Sequence, residues 1–451
     1  MKASAAAVVA MCLGLGTAKA VPYTLSGRRA PLLGVPEALA EREAAIVAAV
    51  DAKNADALAL LERVVNINSG TQNLAGVREV GTVFRAELDA LGFKTQWIDG
   101  ASWRRAGHLV ADHPGNGPRI LLIGHLDTVF EPDSPFQKFE RLDATSARGP
   151  GVIDMKGGDV IIVHALKALD AAGILKSLNV IVVMTGDEEA PGRPYSRARE
   201  ALVAAAKGAA AAIGFEDGAG DPRTAVTARR GTTSWELRVK GTPAHSSQIF
   251  RPGIGPGAIF EAARILTGFH TRLAGEEHLT LNPGVILGGT SVEFDAAQSR
   301  GAAFGKTNVV AETALVTGDL RTLSSDQLAR ARKTMEGIVV SPQPTTHSTL
   351  TFDDGYPPLA PTAGNARLLS LYDRASQDLG FGPVAAVSPD KAGAADVSFV
   401  AGDVPMILDG VGLMGHDDHT PGETADLRTL PSQTKRAAVL LYRLAAPRQG
   451  R

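Results

Sequence analysis

Cysteine is nearly absent from this sequence. The one cysteine, Cys12, falls within the first twenty residues, so neither a disulfide framework nor a thiolate metal site is available to the remainder. Any metal must be held by His, Asp and Glu. A surplus of one charge is also missing: 46 basic residues face 48 acidic ones, a formal net charge of −2, and nothing in that balance suggests nucleic acid as a partner. Aromatics are sparse, at 5%. The apolar run from Ala3 to Thr17 is too short for a bilayer, which takes about 20 consecutive apolar residues.

That run has another reading. Lys2 supplies a positive end, and Ala18-Lys19-Ala20 is a small-x-small cleavage site, so residues 1–20 are expected to be an export signal cut after Ala20. The expectation is a periplasmic or secreted chain with no membrane association once the signal is gone. Met11 before Cys12 is larger than lipid attachment at that cysteine would want.

A length of 451 residues with 44% hydrophobic and 21% charged residues suits a folded chain of two domains. Leu58, Leu61 and Val65, then Val80, Phe84, Leu88 and Leu91, recur at helical spacing. Short apolar runs follow at Arg119–Gly124, Asn179–Thr185, Ala209–Phe215 and Val404–Leu408, separated by helical stretches Val160–Ala172 and Tyr195–Ala206. That order indicates an α/β fold with a mixed, mostly parallel sheet covered by helices. From Gly231 to Phe352 the pattern changes to strand, helix, strand, strand and helix candidates, with helices at Ala258–Phe269 and Asp326–Ile338 and a strand at Thr313–Leu320. We read residues 231–352 as an inserted ferredoxin-like α+β module, splitting a larger domain into 37–230 and 353–447.

In open α/β sheets, ligands sit beyond the carboxyl ends of the strands. Chemistry gathers there. After Ile120–Ile123 comes Gly124-His125-Leu126-Asp127-Thr128; after Val180–Met184 comes Thr185-Gly186-Asp187-Glu188-Glu189; after Ala212–Phe215 comes Glu216-Asp217. In His125-Leu126-Asp127 the aspartate can accept one imidazole proton while the other nitrogen binds a metal, although a His-x-Asp alone is better explained by a hydrogen-bonded core histidine beside a capping aspartate. Adjacent Glu188 and Glu189 point apart and can take different jobs. The glycine-rich Gly149–Gly158 lacks Walker spacing and reads as a tight turn aiming Asp154 inward. Near the end, His416 and His419 share one loop, and spacing does not choose between them.

Taken together, these residues resemble the zinc-dependent glutamate carboxypeptidase and aminoacylase family of exopeptidases. Five segments carry the likeness: Gly124–Val129, Gly149–Gly158, Thr185–Glu189, Phe215-Glu216 and His419-Thr420-Pro421-Gly422-Glu423, within a stretch from about Leu58 to Val439. The resemblance implies two Zn²⁺ per subunit, with Co²⁺ or Mn²⁺ as substitutes. His125 and Glu216 would hold one ion, Glu189 and His419 the other, and Asp154 both. Asp127 would orient His125, and Glu188 would be the general base. The inserted module would close over substrate and form a homodimer, with His245 reaching the reacting carbonyl of the partner's substrate. Asn308 and Arg321 would bind the substrate carboxylate. Arg230, which stands where related carboxypeptidases often carry lysine before a glycine, would also bind substrate, and Asp390–Asp396 replaces a more glycine-rich stretch.

The function this implies is a metallocarboxypeptidase that hydrolyses the amide bond to an acidic C-terminal residue of a peptide or N-acyl amino acid. An N-acyl-amino-acid deacylase or a dipeptidase would use the same site. A non-catalytic binding protein of this fold would require a broken ligand set, and the set is complete.

Overall fold

The computed structural model describes residues 37–445, so the proposed signal at 1–20 lies outside the described residues. The described residues from Glu43 on cluster as one compact unit. Its central sheet has six strands in the order Lys94–Asp99, Gly107–His113, Asn179–Thr185, Arg119–His125, Ala209–Gly214, Ile407–Leu408. The last four run parallel, and the first two are antiparallel additions.

Parallel strands buried on both faces read as continuous apolar runs, and Arg119–His125 and Asn179–Thr185 do so. Successive side chains alternate between faces. Leu121, Ile123, Ile181 and Val183 meet Leu202, Ala205, Val397 and Val400 on one side. The strand Arg119–His125 also contacts helix Lys156–Ala171, which packs in turn against helices Asn54–Val65 and Thr429–Ala445. An amphipathic stripe is not enough in that middle layer, and thirteen residues of Lys156–Ala171 are buried.

Residues beyond Arg230 build a second sheet. Its strands run Thr280–Gly289, Thr313–Thr322, Gly231–Lys240, His347–Asp354, all antiparallel. Helices Gly257–Leu273 and Ser325–Val339 complete a β-α-β-β-α-β order. In Gly231–Lys240 burial alternates, so that Trp235, Leu237 and Val239 pack against Ala262, Ile265 and Phe269. Ser324 caps the second helix by accepting the N–H of Gln327.

Some expected elements differ. The stretch Tyr195–Ala206 is two short helices, Tyr195–Ala198 and Glu200–Ala206, broken at Arg199, whose φ of −111° and ψ of 6° leave the helical range. The run from Val404 yields only Ile407–Leu408 as strand. A hairpin, Ser291–Asp295 with Arg300–Phe304, interrupts the second module, and its last main strand extends to Asp354.

Candidate metal centre and catalytic cleft

Strand Arg119–His125 ends on His125 itself, Asn179–Thr185 leads into Glu188 and Glu189, and Ala209–Gly214 leads into Glu216. These three strands are parallel neighbours, so their carboxyl ends open on a common crevice. Between them enters the loop before helix Lys156–Ala171. A Cβ at Gly158 would stand 1.9 Å from the Phe215 carbonyl oxygen, so only glycine lets the helix start touch the strand end that carries Glu216. Glu423 holds the loop: its buried carboxylate accepts the backbone N–H groups of Gly151 at 2.9 Å, Ile153 at 2.9 Å and Asp154 at 3.2 Å. The sequence presents Glu423 only as the tail of a motif. Its signal would have been a carboxylate without a basic neighbour, beside a glycine turn.

Asp154 stands between two histidines. Its Oδ1 is 3.0 Å from His125 Nε2 and its Oδ2 is 2.9 Å from His419 Nε2. Glu216 Oε1 lies 3.7 Å from His125 Nε2, and Glu189 Oε2 lies 3.1 Å from His419 Nε2. Two donor sets therefore share one carboxylate. His416 pairs instead with Asp417 at 2.8 Å. His419 has φ of +58°, a left-handed conformation that costs a non-glycine residue about 1–2 kcal/mol. The exposed Asp418, which the motifs do not single out, also lies within ligand reach of Asp154 and His419.

Asp127 does more than orient a histidine. His125 Nδ1 meets the Asp127 backbone oxygen at 3.1 Å, closer than the carboxylate at 3.5 Å. The carboxylate instead accepts the N–H of Glu188 at 2.9 Å, the N–H of Glu189 at 3.1 Å and the Thr71 hydroxyl at 2.6 Å. It fixes the backbone of both glutamates. Beneath them Arg199, fully buried, donates to Asp187 Oδ1 at 2.6 Å, Asp396 Oδ1 at 2.7 Å and the Tyr356 hydroxyl at 3.0 Å. That hydroxyl donates to the Glu188 carbonyl at 2.7 Å. His108 Nδ1 accepts the Gly186 N–H at 3.1 Å. Nothing in local sequence links Arg199, Tyr356 or Asp396 to Glu188, because the chain brings them together only on folding.

Burial pushes the carboxyls of Glu189 and Glu216 up to about 7 and that of Glu188 well above its ordinary range. Burial acts the same way on Asp154, yet hydrogen bonds from His125 and His419 outweigh it and hold the group below its usual value. His419 is raised to about 11 by its hydrogen bonds to Asp154 and Glu189. Acids crowded in this way call for cations. Glu189 Oε1 is buried and takes no hydrogen bond, and imidazole nitrogen with carboxylate oxygen is a donor set that zinc accepts. The residues present fit a pair of metal ions bridged by Asp154.

The profile of peptidase family M20/M25/M40 matches residues 121–445. The chain belongs to that family. It is a zinc-dependent metallo-exopeptidase with two metal ions. Carboxypeptidase G2 of Pseudomonas sp. (strain RS-16) is 25% identical over 394 residues, covering 86% of this chain and 88% of that protein. Acetylornithine deacetylase of Pasteurella multocida (strain Pm70) is 28% identical over 221 residues, 46% of this chain and 54% of that protein. Among solved structures, aminopeptidase PepT from Bacillus cereus ATCC 10987 shares the fold with a TM-score of 0.68 at 18% identity, covering 87% of this chain and 99% of that one. The Bacillus subtilis YXEP protein, described as a dinuclear metal binding peptidase from the M20 family, has a TM-score of 0.60 at 16% identity, covering 88% and 99%.

The cleft of this M20 peptidase encloses about 530 Å³ and is lined by Asp154, Glu188, Glu189, Glu216, Arg229 and His419, among others. Arg230, His245, Asn308 and Arg321 are not in that lining. The second module brings His245 beside Asn308, where Ser246 N–H donates to the Asn308 carbonyl at 2.9 Å. Arg230 and Arg321 both adjoin Thr280: Arg230 donates to its hydroxyl at 3.3 Å, and Arg321 faces it across the strands. Arg321 also pairs with Asp319 at 2.7 Å.

Proposed function

We propose that this peptidase is a carboxypeptidase that releases an acidic C-terminal residue from peptides or N-acyl amino acids. Asp154, with one oxygen toward each histidine, is the observation that carries the reading, since it gives two metal positions one shared ligand. Zinc ions held there by His125, Glu216, Glu189 and His419 would supply Lewis acidity, polarising the scissile carbonyl and acidifying the attacking water. Glu188 takes the proton that the water loses and delivers it to the nitrogen of the departing amine. Burial raises its affinity for a proton, which favours the first of these steps. Asp127 keeps Glu188 in place through the backbone. The likeness to Carboxypeptidase G2 supports the carboxypeptidase reading, and the placing of the cations Arg230 and Arg321 together at Thr280 supports the acidic preference.

The module of residues 231–352 is assigned to substrate closure and to a homodimer in which His245 serves the partner's site. Support comes from apolar side chains left exposed on one region of it, Phe250, Ile259, Phe260, Ile286 and Phe304. Phe250 and Phe260 lie 5.8 Å apart. The open edge of strand Thr280–Gly289 adds unpaired backbone groups. The signal-like first twenty residues support export to the periplasm or medium.

A substrate panel tests the reading. Zinc-loaded enzyme should cleave N-acyl-glutamate and peptides ending in Glu or Asp faster than their Leu counterparts. Equal rates would remove the preference, and cleavage of dipeptides alone would favour a dipeptidase.

A further inference from the structure

Cations are scarce along the cleft. Among the described residues, two Lys or Arg side chains line it, Arg229 and Lys391. Arg229 is committed elsewhere. Its buried guanidinium donates to Asp409 Oδ2 at 2.8 Å and to the Gly393 carbonyl at 2.7 Å. Asp409 in turn accepts the N–H of Gly410 at 2.7 Å and of Glu216 at 3.4 Å. A guanidinium so placed ties the cleft wall together, and its charge is already paired with Asp409.

Lys391 is the opposite case. Its side chain is exposed, and its ammonium has no hydrogen-bond or ion-pair partner among the described residues. The backbone beneath it is nonetheless fixed. Lys391 ends the short helical turn Pro389–Lys391, and its N–H donates to the Ser388 carbonyl at 2.9 Å. On one flank Asp390 is gripped by Arg230 at its carbonyl, 3.3 Å, and by His278 Nδ1 at its carboxylate, 3.2 Å. On the other flank Arg229 holds the Gly393 carbonyl. A free cation is therefore presented from an anchored loop. Beyond the metal donors, the lining offers Glu188, Asp217, Asp417 and Asp418, all of which repel an anion.

We infer that Lys391 binds a carboxylate of the substrate and so determines which C-terminal residues the enzyme accepts. The inference rests on the exopeptidase reading above and adds the residue that reads the acid. Two carboxylates present the same chemistry, the acidic side chain of the released residue and its α-carboxylate. Arg230 also steadies Lys391 by holding Asp390.

The experiment uses the zinc-loaded full chain with Lys391→Ala, Lys391→Glu and Lys391→Arg, on N-acetyl-glutamate and N-acetyl-leucine. Lys391→Ala should raise KM by about tenfold, the loss of one charge pair, with kcat nearly unmoved. Lys391→Glu should raise it further, and Lys391→Arg should restore most of it. A loss confined to N-acetyl-glutamate identifies the side-chain carboxylate, and an equal loss on both substrates identifies the α-carboxylate. KM within twofold of wild type for both, or a fall in kcat alone, overturns the inference. Calorimetric binding of free glutamate gives a second readout, expected to weaken about tenfold in Lys391→Ala. If the wild type hydrolyses neither substrate, the proposed function fails, and the glutamate titration still decides Lys391: unchanged affinity overturns it.

Discussion

Asp127→Asn tests how the glutamate pair is held. Both carboxylate oxygens face donors, Oδ1 the N–H of Glu188 and Oδ2 the N–H of Glu189 together with the Thr71 hydroxyl. An amide has one oxygen, so every rotamer sets an NH₂ against a backbone N–H. The cheaper choice puts NH₂ at the Oδ2 position, where Thr71 can rotate to accept from it, and abandons the Glu189 N–H. Losing a hydrogen bond to a charged acceptor and leaving a buried donor unmatched costs about 2–3 kcal/mol. If that cost falls on the catalytic geometry, kcat/KM drops by about 30–150-fold. Because Glu189 is the residue released, the metal position it shares with His419 should weaken, by about 10–100-fold as for other groups supporting ligands. The assay is steady-state kinetics together with zinc retained per chain against a graded chelator. Wild-type kcat/KM with wild-type zinc retention would refute the reasoning, and a loss of activity without loss of metal would place the damage at Glu188 instead.

Other predictions follow the same geometry. Glu188→Gln should keep both metal ions and lose activity by about 10²–10⁴-fold, seen as full zinc content in an inactive protein. Arg199→Met leaves Asp187 and Asp396 buried without their cation and should destabilise the fold by about 3–5 kcal/mol, measured by denaturant or thermal unfolding. His164 is held neutral, its value lowered to about 4 by burial. Between that value and the ordinary 6.5 the unfolded chain binds a proton that the folded chain does not, so stability falls as pH drops through this window, by about 3 kcal/mol at most. His164→Met should shrink the loss in unfolding measured from pH 7 to pH 4, and an unchanged acid profile would count against the assignment.

Residues adjacent in sequence to a strand end could be placed from sequence. The runs Arg119–Gly124, Asn179–Thr185 and Ala209–Phe215 are apolar because both sheet faces are covered, and the polar residue closing each run falls in the crevice by topology alone. The two antiparallel strands Lys94–Asp99 and Gly107–His113 escaped because their partly exposed residues blur the apolar signal. The α+β module was legible from its order of elements, whereas its extra hairpin, wholly exposed along Arg300–Phe304, has no apolar pattern to read. Within the site, motifs named the metal donors but not what braces them. Arg199, Tyr356, Asp396 and Glu423 act through contacts across long sequence separations, and a buried ion pair looks like any surface charge until the chain is folded. Arg229 and Arg230 illustrate the same limit. They are neighbours in sequence, yet one lines the cleft and the other braces a loop.

The most direct test of the account is anomalous scattering at the zinc edge from crystals of the full chain. Two peaks should appear, one between His125 and Glu216 and one between Glu189 and His419, with Asp154 reaching both. A single peak, or a pair that leaves Asp154 uncoordinated, would contradict it.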